Sequence, residues 1–505
     1  MSLFILLSEV SRAELQALTA RAFESFTRRA ASGSGTEREE IGFQPLQPSP
    51  DSASAQITVA ELWHGQTLAF KDLPLQFLGQ LLSHFLARRQ QRINVLVGTS
   101  GDTGSAAIEA VRNSPYVNIF VLYPSGGRIT AVQELQMTTV RSDLNNVHVV
   151  ACDGTSDELD VPILRLFDTQ PTFKDQYKLC SINSVNVIRI LMQCVHFIYA
   201  YLRVKPAVDA PVDFVLPTGA AGHIAAGVLT KQMGLPIGQL CAATNDNDLM
   251  TQFLNTGSFH PRALGAIHTS SPAIDIQVPY NVERILYSMA PGQHLAKAAF
   301  ARRCMQSLSL PAADAARGFD LSAEDLARWK SFGLVGVAAS HRDVVATIAQ
   351  VWKTQQYLLD PHTSVAVHAA RSLASGASAA AASPNPSVVF ATAHASKFIP
   401  TVVEATGLEE IALRKIFSES PYDNVRRAMG LHELPAFSTP FARGTDWEAQ
   451  LRELVERVNK EQRCSRAKRT VPWVPICVSV AVGVAVVASM LVARFRKNAP
   501  QPPRK

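Results

Sequence analysis

Short apolar runs alternate with longer amphipathic stretches through most of the chain. Runs of roughly four to eight apolar residues predict buried strands, and apolar residues spaced three or four apart predict helices. The predicted strands lie at residues 57–62, 94–98, 117–123, 147–152, 212–216 and 388–391. The predicted helices lie at residues 77–86, 130–139, 162–167 and 187–201, with two more that end at Val111 and Met233. This alternation predicts an α/β fold with largely parallel sheets.

Other stretches depart from this alternation. Residues 1–29 have helical periodicity, and residues 11–14 fit a capping box at a helix start. Residues 31–55 are rich in Ser, Gly, Pro and charge, which is typical of an exposed loop. Residues 311–330 predict a polar, helical and exposed stretch, and residues 374–387 predict a flexible low-complexity loop.

The segment 471–493 contains 23 residues without charge, which is long enough to cross a bilayer. Trp473 lies near one end, and Arg494, Arg496 and Lys497 follow the other, as interfacial anchors do. A buried helix is the alternative, but basic flanks fit it poorly. The pattern predicts a tail-anchored membrane protein with its folded domains in the cytosol, at the mitochondrial outer membrane or the peroxisome.

Composition indicates a mostly globular chain with a large core. The 505 residues are 47% apolar and 18% charged, enough for two or three domains. The net charge is +6, but the basic excess is concentrated in residues 461–505, so no nucleic-acid partner is expected. The seven cysteines are scattered without a C-x-x-C pair, which favours free thiols in a reducing compartment and no metal site.

Lys71 lies in a short apolar frame, between Leu68-Ala69-Phe70 and Leu73-Pro74-Leu75. Desolvation lowers the pKa of an ammonium group and produces the nucleophilic amine that a Schiff-base lysine needs. The helix predicted just downstream would lower that pKa further, because a helix N-terminus carries partial positive charge. On local sequence alone, a surface lysine near a helix start is the alternative.

Two glycine-rich segments each follow a predicted strand and open a helix. They are GTSGDTGSAA at 98–107 and LPTGAAGHIAAG at 216–227. Backbone N–H groups at such turns form anion sites. The first segment packs three hydroxyls and a carboxylate among its glycines, which an ordinary turn does not require. In the second, Gly219 and Gly222 allow the backbone to approach a phosphate.

Five segments, in this order, resemble threonine synthase, a pyridoxal-phosphate (PLP) enzyme of the tryptophan-synthase-β type. They are ELWHGQTLAFKD, GTSGDTGSAA, LPTGAAGHIAAG, DIQVPYNVER and ATAHASKF. Within that family, GAAG, VPYNVER and GTSDELDVPI are similar to the threonine synthase-like 2 proteins, which are regarded as catabolic phospho-lyases. The resemblance spans roughly residues 6–440. It implies PLP as cofactor and fold type II, with helices on both faces of parallel sheets.

The resemblance also implies roles for individual residues. Lys71 is expected to hold PLP and to act as the base. The expected cofactor-binding residues are Asp102, Gly219, Ala220, Ala221, Gly222 and Thr392. The expected substrate-binding residues are Thr99, Ser100, Thr103, Asn183, Asn186, Arg284 and Lys397, with His394 as a secondary candidate. Helix capping remains the alternative for Asn186, and a solvated ion pair remains the alternative for Arg284.

The resemblance and the composition of the chain together predict its division into domains and segments. The predicted units are a truncated N-terminal helical segment and loop at 1–56, a large PLP-binding domain at 57–97 and 203–440, a small mobile substrate domain at 98–202, a helical basic linker at 441–470, a transmembrane helix at 471–493 and a basic tail at 494–505.

The function implied is elimination of phosphate from O-phosphohomoserine, O-phosphothreonine or O-phosphoserine, giving a 2-oxo acid, ammonia and phosphate. Conversion of O-phosphohomoserine to threonine is the alternative within the family. A non-catalytic PLP-binding scaffold at a membrane is the alternative of another class. A serine/threonine dehydratase is less favoured, because it needs no second phosphate site. The expected partners are a phosphorylated amino acid and a membrane, and a homodimer is left open.

Overall fold

The computed structural model describes residues 10–26, 28–30, 36–38, 40–47, 56–204, 210–308, 317–376 and 383–466. The strands are β1 (Arg28–Ala30), β2 (Thr36–Arg38), β3 (Gly42–Leu46), β4 (Ile57–Glu61), β5 (Ile93–Gly98), β6 (Val117–Pro124), β7 (Val147–Cys152), β8 (Leu179–Cys180), β9 (Val212–Pro217), β10 (Ile237–Thr244), β11 (Ser258–Phe259), β12 (Phe319–Asp320), β13 (Leu334–Ala338), β14 (Ser387–Ala391) and β15 (Thr439–Phe441).

The α-helices are α1 (Arg12–Ala22), α2 (Asp72–Arg89), α3 (Asp102–Val111), α4 (Ala131–Thr138), α5 (Ser156–Asp168), α6 (Pro171–Tyr177), α7 (Val187–Val204), α8 (Gly222–Gln232), α9 (Leu249–Thr256), α10 (Val282–Met289), α11 (His294–Leu308), α12 (Ala323–Ser331), α13 (His341–Gln355), α14 (Pro361–Ser375), α15 (Ile399–Thr406), α16 (Glu410–Ser418), α17 (Asp423–Met429) and α18 (Trp447–Arg466).

Two sheets organise the molecule. The larger has the strand order β13-β10-β9-β14-β4-β3, and every neighbouring pair is parallel except β3 with β4. The smaller has the order β15-β7-β6-β5-β8 and is parallel throughout. The predicted α/β fold with parallel sheets is therefore confirmed.

Helices cover both faces of the larger sheet. Along β14, Val388 and Phe390 belong to one hydrophobic core, while Val389 and Ala391 belong to another. Alternate side chains of a strand point to opposite faces, so a strand that is apolar at every position needs a cover on each side. Helices α7 and α8 contribute to the first core, and α13 and α14 contribute to the second.

The smaller sheet extends beyond the predicted substrate domain at both ends. Strand β5 lies between β6 and β8, so the residues just before Gly98 belong to this sheet. Strand β15 pairs with β7 and covers what would otherwise be an exposed edge. Leu451 and Val455 of α18 pack with Leu159 of α5 in one core. Up to Arg466, the segment predicted as a linker is thus part of this domain.

The N-terminal predictions are confirmed in part. Ser11 and Glu14 form the predicted capping box, but helix α1 ends at Ala22 because Phe23 adopts a non-helical conformation. The loop predicted at 31–55 is wrong where β2 and β3 form. Strand β3 pairs antiparallel with β4 at the edge of the larger sheet, where its proline is tolerated.

The predicted membrane helix at 471–493 lies outside the described residues. Within the described part of the chain, helix α7 is long and apolar enough to cross a membrane, but 61% of the apolar window is buried inside the protein. Burial of that kind is also what a core helix shows, and α7 supplies residues to the main hydrophobic core.

Candidate active site

The carboxyl ends of parallel strands from both sheets meet at one cavity, which is where ligands bind in parallel α/β sheets. Thr392 follows β14, Thr218 follows β9, Thr99 follows β5 and Asn183 comes soon after β8. The predicted site residues that line the cavity are Lys71, Thr99, Ser100, Asp102, Thr103, Asn183, Gly219, Ala220, Ala221, Gly222 and Thr392.

Lys71 directly precedes helix α2, and its side chain is only 12% exposed. Its loop is hydrogen-bonded to the segment after β14. The Phe70 amide donates to the Thr392 carbonyl at 2.8 Å, and the His394 amide donates to the Leu68 carbonyl at 3.1 Å. Leu68 adopts a left-handed conformation with φ of 57°, which costs energy for a branched residue. These contacts hold Lys71 and Thr392 in the wall of the same cavity.

Asp102 lies between two lysines. Its Oδ2 is 3.4 Å from the Lys71 Nζ, and its Oδ1 is 2.7 Å from the Lys397 Nζ. Gln133 Nε2 also donates to Oδ1 at 2.9 Å. Burial opposes ionisation of Asp102, yet the ammonium groups of Lys397 and Lys71 hold its pKa well below the ordinary value. Asp102 is therefore a fixed negative charge beside Lys71.

The pKa of Lys71 is lowered, chiefly because burial disfavours the ammonium form. Asp102 opposes this shift, while the positive charges of Arg189 and Lys397 add to it. A larger fraction of Lys71 is consequently the neutral, nucleophilic amine at any given pH.

The turn at 217–222 joins β9 to α8 and forms a cradle of peptide groups. Ala221 precedes the helix with φ of 57°, and a Cβ added to Gly219 would lie 2.9 Å from the Ile274 Cα. The backbone is thus packed closely here, and the first N–H groups of α8 have no partner within the helix. Such a helix N-terminus binds a phosphate. A buried lysine, this cradle and the Thr392 hydroxyl in one cavity fit PLP.

The other glycine-rich turn is fixed by its own threonine. The Thr99 Oγ1 accepts hydrogen bonds from the amides of Gly101 and Gly104, each at 3.0 Å. Gly101 has φ of 138°, which favours glycine. Ser100 and Thr103 remain half-buried in the cavity wall, at the start of α3. Thr99 therefore shapes the turn, and Ser100 and Thr103 form part of the cavity wall.

The two asparagines of the N-S-V-N segment have different environments. Asn183 lines the cavity, donates to the Gly98 carbonyl at 3.1 Å, and has a buried Oδ1 without a partner in the described structure. Asn186 does not line the cavity. Its Oδ1 accepts from the Ile188 amide at 3.1 Å, so the helix-capping alternative describes it.

Three further candidates lie away from the cavity. Arg284 donates to Asn281 Oδ1 at 2.9 Å and to the Val185 carbonyl at 2.7 Å. Lys397 is fully buried behind Asp102. His394 lines a second cavity, and burial, with His64 and Lys397 nearby, lowers its pKa to about 3. None of the three lines the cavity that contains Lys71, and their role as substrate ligands stays a prediction. The sequence does not show towards which side of the strand end a side chain points.

Arg189 is a cavity residue that the sequence predictions missed. It is 2% exposed, and its NH1 donates to the Ile182 carbonyl at 3.1 Å, while its buried Nε has no partner. Among the described residues, no carboxylate lies within 4 Å of its guanidinium. Burial lowers its pKa to about 10, so it stays charged near neutral pH. A lone arginine in the apolar helix at 187–201 was the available clue.

Tyr280 and Ser184 were also missed, and they join three predicted motifs into one wall. The Tyr280 and Ser184 hydroxyls are 2.7 Å apart. Asn281 Nδ2 donates to the Ser184 Oγ at 3.0 Å and to the Ala220 carbonyl at 2.9 Å. The VPYNVER segment thus connects the phosphate cradle to the N-S-V-N turn, and Arg284 holds Asn281 in place.

Comparison with known proteins shows the family to which the chain belongs. Residues 38–392 match the family described as pyridoxal-phosphate dependent enzymes. The chain belongs to this family, and its cofactor is PLP.

Within the family, the chain is threonine synthase-like. It is 35% identical to threonine synthase-like 2 of Xenopus laevis, over 91% of this chain and 87% of that protein. It is 36% identical to the Homo sapiens protein of the same name, over 81% of this chain and 78% of that protein. It is also 39% identical to the threonine synthase of Pseudomonas aeruginosa, over 69% of this chain and 70% of that protein.

Solved structures show the same architecture. PLP-bound threonine synthase from Brucella melitensis superposes with a TM-score of 0.71 at 32% identity, covering 89% of this chain and 85% of that one. Yeast threonine synthase superposes with a TM-score of 0.73 at 28% identity, covering 91% of this chain and 86% of that one. The predicted PLP-dependent fold type II is confirmed.

Proposed function

We propose that the protein is a PLP-dependent phospho-lyase that removes phosphate from an O-phosphorylated amino acid and releases a 2-oxo acid and ammonia. The observation that carries this proposal is Arg189, a buried guanidinium without a carboxylate partner in the cavity that contains Lys71. The cradle at 217–222 suits the phosphate of PLP. Arg189 provides a second anion site in the same cavity.

The energetics favour a bound anion at Arg189. An unpaired buried charge costs several kcal/mol, on the order of the penalty found for single ions in protein interiors. A guanidinium offers a planar fork of donors that matches phosphate, and such charge-assisted bonds are stronger than neutral ones. A substrate phosphate would supply the counter-charge, and so would the phosphate ion as it leaves.

The residues around Lys71 suit proton transfer. PLP, when bound, supplies the electron sink that makes the substrate α-proton acidic. Lys71, with its lowered pKa, holds the cofactor and then accepts this proton. Asp102, fixed by Lys397 and Gln133, stabilises the ammonium group that Lys71 becomes. Thr392 would offer the pyridine nitrogen of PLP a neutral hydroxyl as its hydrogen-bond partner, in place of a carboxylate.

The overall reaction balances with one water molecule. O-phosphohomoserine or O-phosphothreonine plus water gives 2-oxobutyrate, ammonia and phosphate, and O-phosphoserine plus water gives pyruvate, ammonia and phosphate. The carbon–oxygen bond to phosphate breaks and its electrons leave with the phosphate, whose charge Arg189 stabilises. Ser100 and Thr103 line the cavity at the start of α3, and we expect their hydroxyls to bind the substrate carboxylate.

Threonine synthesis is the second candidate, since the chain is also similar to threonine synthases. Threonine would form if water added to the β-carbon of the substrate after the phosphate had left, whereas the 2-oxo acid would form if the unsaturated amino acid were released and hydrolysed. Ala220-Ala221 stand where plain threonine synthases often have Asn-Phe, and they form one wall with VPYNVER. This wall and the similarity to threonine synthase-like 2 proteins support the lyase.

The test is phosphate release by the purified chain loaded with PLP. O-phospho-L-homoserine, O-phospho-L-threonine and O-phospho-L-serine are compared with unphosphorylated L-threonine. The proposal expects phosphate, ammonia and a 2-oxo acid from at least one phosphorylated substrate. It is wrong if no phosphorylated substrate reacts, or if L-threonine is deaminated equally fast.

We also propose that residues 471–493 anchor the protein in a membrane, with the enzyme in the cytosol. The support is the uncharged 23-residue run and its basic flanks. A fluorescent fusion to residues 460–505 should localise to mitochondria or peroxisomes, and a soluble fusion would contradict the anchor.

A further inference from the structure

A second cavity, of about 610 Å³, lies behind the strand end that carries Thr392. Ala391 and Ala393 line this second cavity, while Thr392 between them lines the active site. At the start of α14 the pattern repeats, with Asp360 in the second cavity and His362 in the active site. The two cavities therefore share a wall. A volume of this size is typical of small-molecule sites.

The wall of the second cavity combines aromatic rings with negative charge. The aromatic residues that line it are Phe43, Trp63, Trp352, Tyr357, Phe417 and Tyr422. The carboxylates that line it are Glu61 and Asp360, and the described lining contains no lysine or arginine. Such a wall disfavours an anion and suits a cation, which aromatic faces attract through their quadrupoles.

Glu61 is the carboxylate that gives the second cavity its charge. It is 7% exposed, and its Oε1 accepts from the Tyr357 hydroxyl at 2.7 Å. Its Oε2 lies 3.0 Å from the His64 Nε2. Asp360 also accepts hydrogen bonds, from the amides of His362 and Thr363 at the start of α14. The tyrosine therefore holds the Glu61 carboxylate in one orientation.

The aromatic part of the wall is held in place by its own packing. Trp63 stacks on His64 with ring centroids 3.9 Å apart and meets Tyr422 edge-on at 5.2 Å. His394 meets Trp63 at 4.5 Å, and its lowered pKa of about 3 keeps it uncharged. The site is consequently built before any ligand arrives, which reduces the entropy cost of binding.

From these features we infer that the second cavity binds a small organic cation, of the amine or quaternary ammonium class. The ligand places its charged head among the rings near Glu61. No residue of the phosphate elimination is used, so the inference stands apart from the proposed reaction.

The test uses the full chain loaded with PLP and choline as the probe, followed by saturation-transfer NMR titration. The uncharged isostere 3,3-dimethyl-1-butanol has nearly the same shape and serves as the control ligand. Choline should bind saturably and about 10-fold more tightly than the isostere. Lys71→Ala should leave choline binding unchanged, because Lys71 does not line the second cavity.

Two substitutions locate the bound cation. Glu61→Gln keeps an acceptor for Tyr357 and removes the charge, and Trp352→Leu removes a half-buried ring. Each should weaken choline binding by about 10-fold. Trp447→Leu, a half-buried tryptophan in the other domain, is the matched control and should change nothing. If Glu61→Gln fails to fold, choline binding by Trp352→Leu alone shows whether the cation binds in the second cavity.

Three results would overturn the inference. These are no saturable choline binding, equal binding of choline and its isostere, or binding that Trp352→Leu leaves unchanged while circular dichroism shows a folded protein.

Discussion

Two groups of buried charges near the cavity differ in how they are paired. Asp102 lies within 4 Å of the ammonium groups of both Lys71 and Lys397, so each of these three charges has a partner. Arg189 is equally buried, yet it forms no ion pair with a described carboxylate, and its Nε has no partner. The Asp102 group is a framework that is complete without a ligand. The proposed function makes Arg189 the group that an anion completes.

This difference means that substitutions can be chosen that affect the stability of the fold and the binding of an anion in different ways. Removing one partner of a buried ion pair leaves an uncompensated charge and is strongly destabilising. Removing a buried charge that has no partner relieves a desolvation cost instead. Substitutions in the Asp102 group and at Arg189 should therefore have opposite effects on the free energy of unfolding, even though both should impair the reaction.

The largest expected effect is that of Lys71→Ala. The visible absorbance of cofactor held covalently by Lys71 should disappear, and kcat/KM should fall by roughly 1,000-fold or more, as for other residues that form the covalent link. Absorbance spectra and phosphate release measure both. Persistence of that absorbance would remove Lys71 from its assigned role.

Lys397→Met should have the largest effect on stability. Asp102 would lose its 2.7 Å partner inside the protein, and the free energy of unfolding should fall by about 3–5 kcal/mol. The pKa of Lys71 should rise, because the nearby positive charge of Lys397 is removed and Asp102 no longer shares its carboxylate with a second lysine. Urea unfolding and the pH dependence of PLP binding measure the two effects.

Lys415→Met is the matched control for Lys397→Met, since Lys415 is largely exposed in a 3.9 Å surface pair. Its effect on the free energy of unfolding should stay below about 1 kcal/mol. If the free energy of unfolding fell equally in the two variants, the buried pair of Lys397 and Asp102 would stabilise the fold no more than a surface ion pair.

Arg189→Met should raise KM for the phosphorylated substrate by about 10- to 100-fold, the value of losing charge-assisted hydrogen bonds. Because the guanidinium has no carboxylate partner, the free energy of unfolding should stay the same or rise. Inorganic phosphate should stabilise the unsubstituted protein against urea more than it stabilises the variant. A loss of stability as large as that of Lys397→Met would contradict the comparison.

The smallest expected effect concerns pH. Burial lowers the pKa of His148 to about 4, from an ordinary value of 6.5, so the folded state binds its proton less readily than the unfolded state. Its contribution to stability is therefore lost as pH falls from about 6.5 towards 4. When the pH falls from about 7.5 to 5.5, the free energy of unfolding should decrease by about 1 kcal/mol less in His148→Gln than in the unsubstituted protein. If the free energy of unfolding depended on pH in the same way in both proteins, the lowered pKa of His148 would be contradicted.

The features that sequence could predict are those that depend on local pattern. Apolar runs predicted six of the strands in the two sheets, because a strand buried on two faces is apolar at successive positions. These are β4, β5, β6, β7, β9 and β14, whereas β8, β10, β13 and β15 were not predicted. The frame of Lys71 and the two glycine-rich turns could be recognised, since each lies within a few consecutive residues. Edge strand β3 was missed, because pairing with β4 overrides its loop-like composition.

The orientation of individual side chains could not be predicted. Thr392, His394 and Lys397 are close in sequence, yet one lines the active site, one lines the second cavity and one is buried behind Asp102. Arg189 seemed part of an apolar helix. Only the three-dimensional position of α7 makes Arg189 a residue of the cavity wall.

Product analysis is the strongest test of whether the protein eliminates phosphate from a phosphorylated amino acid. The full chain, loaded with PLP, is incubated with O-phospho-L-homoserine, and the products are quantified by NMR. We expect phosphate together with equal amounts of 2-oxobutyrate and ammonia. Threonine formed in step with phosphate would contradict it and show a synthase instead.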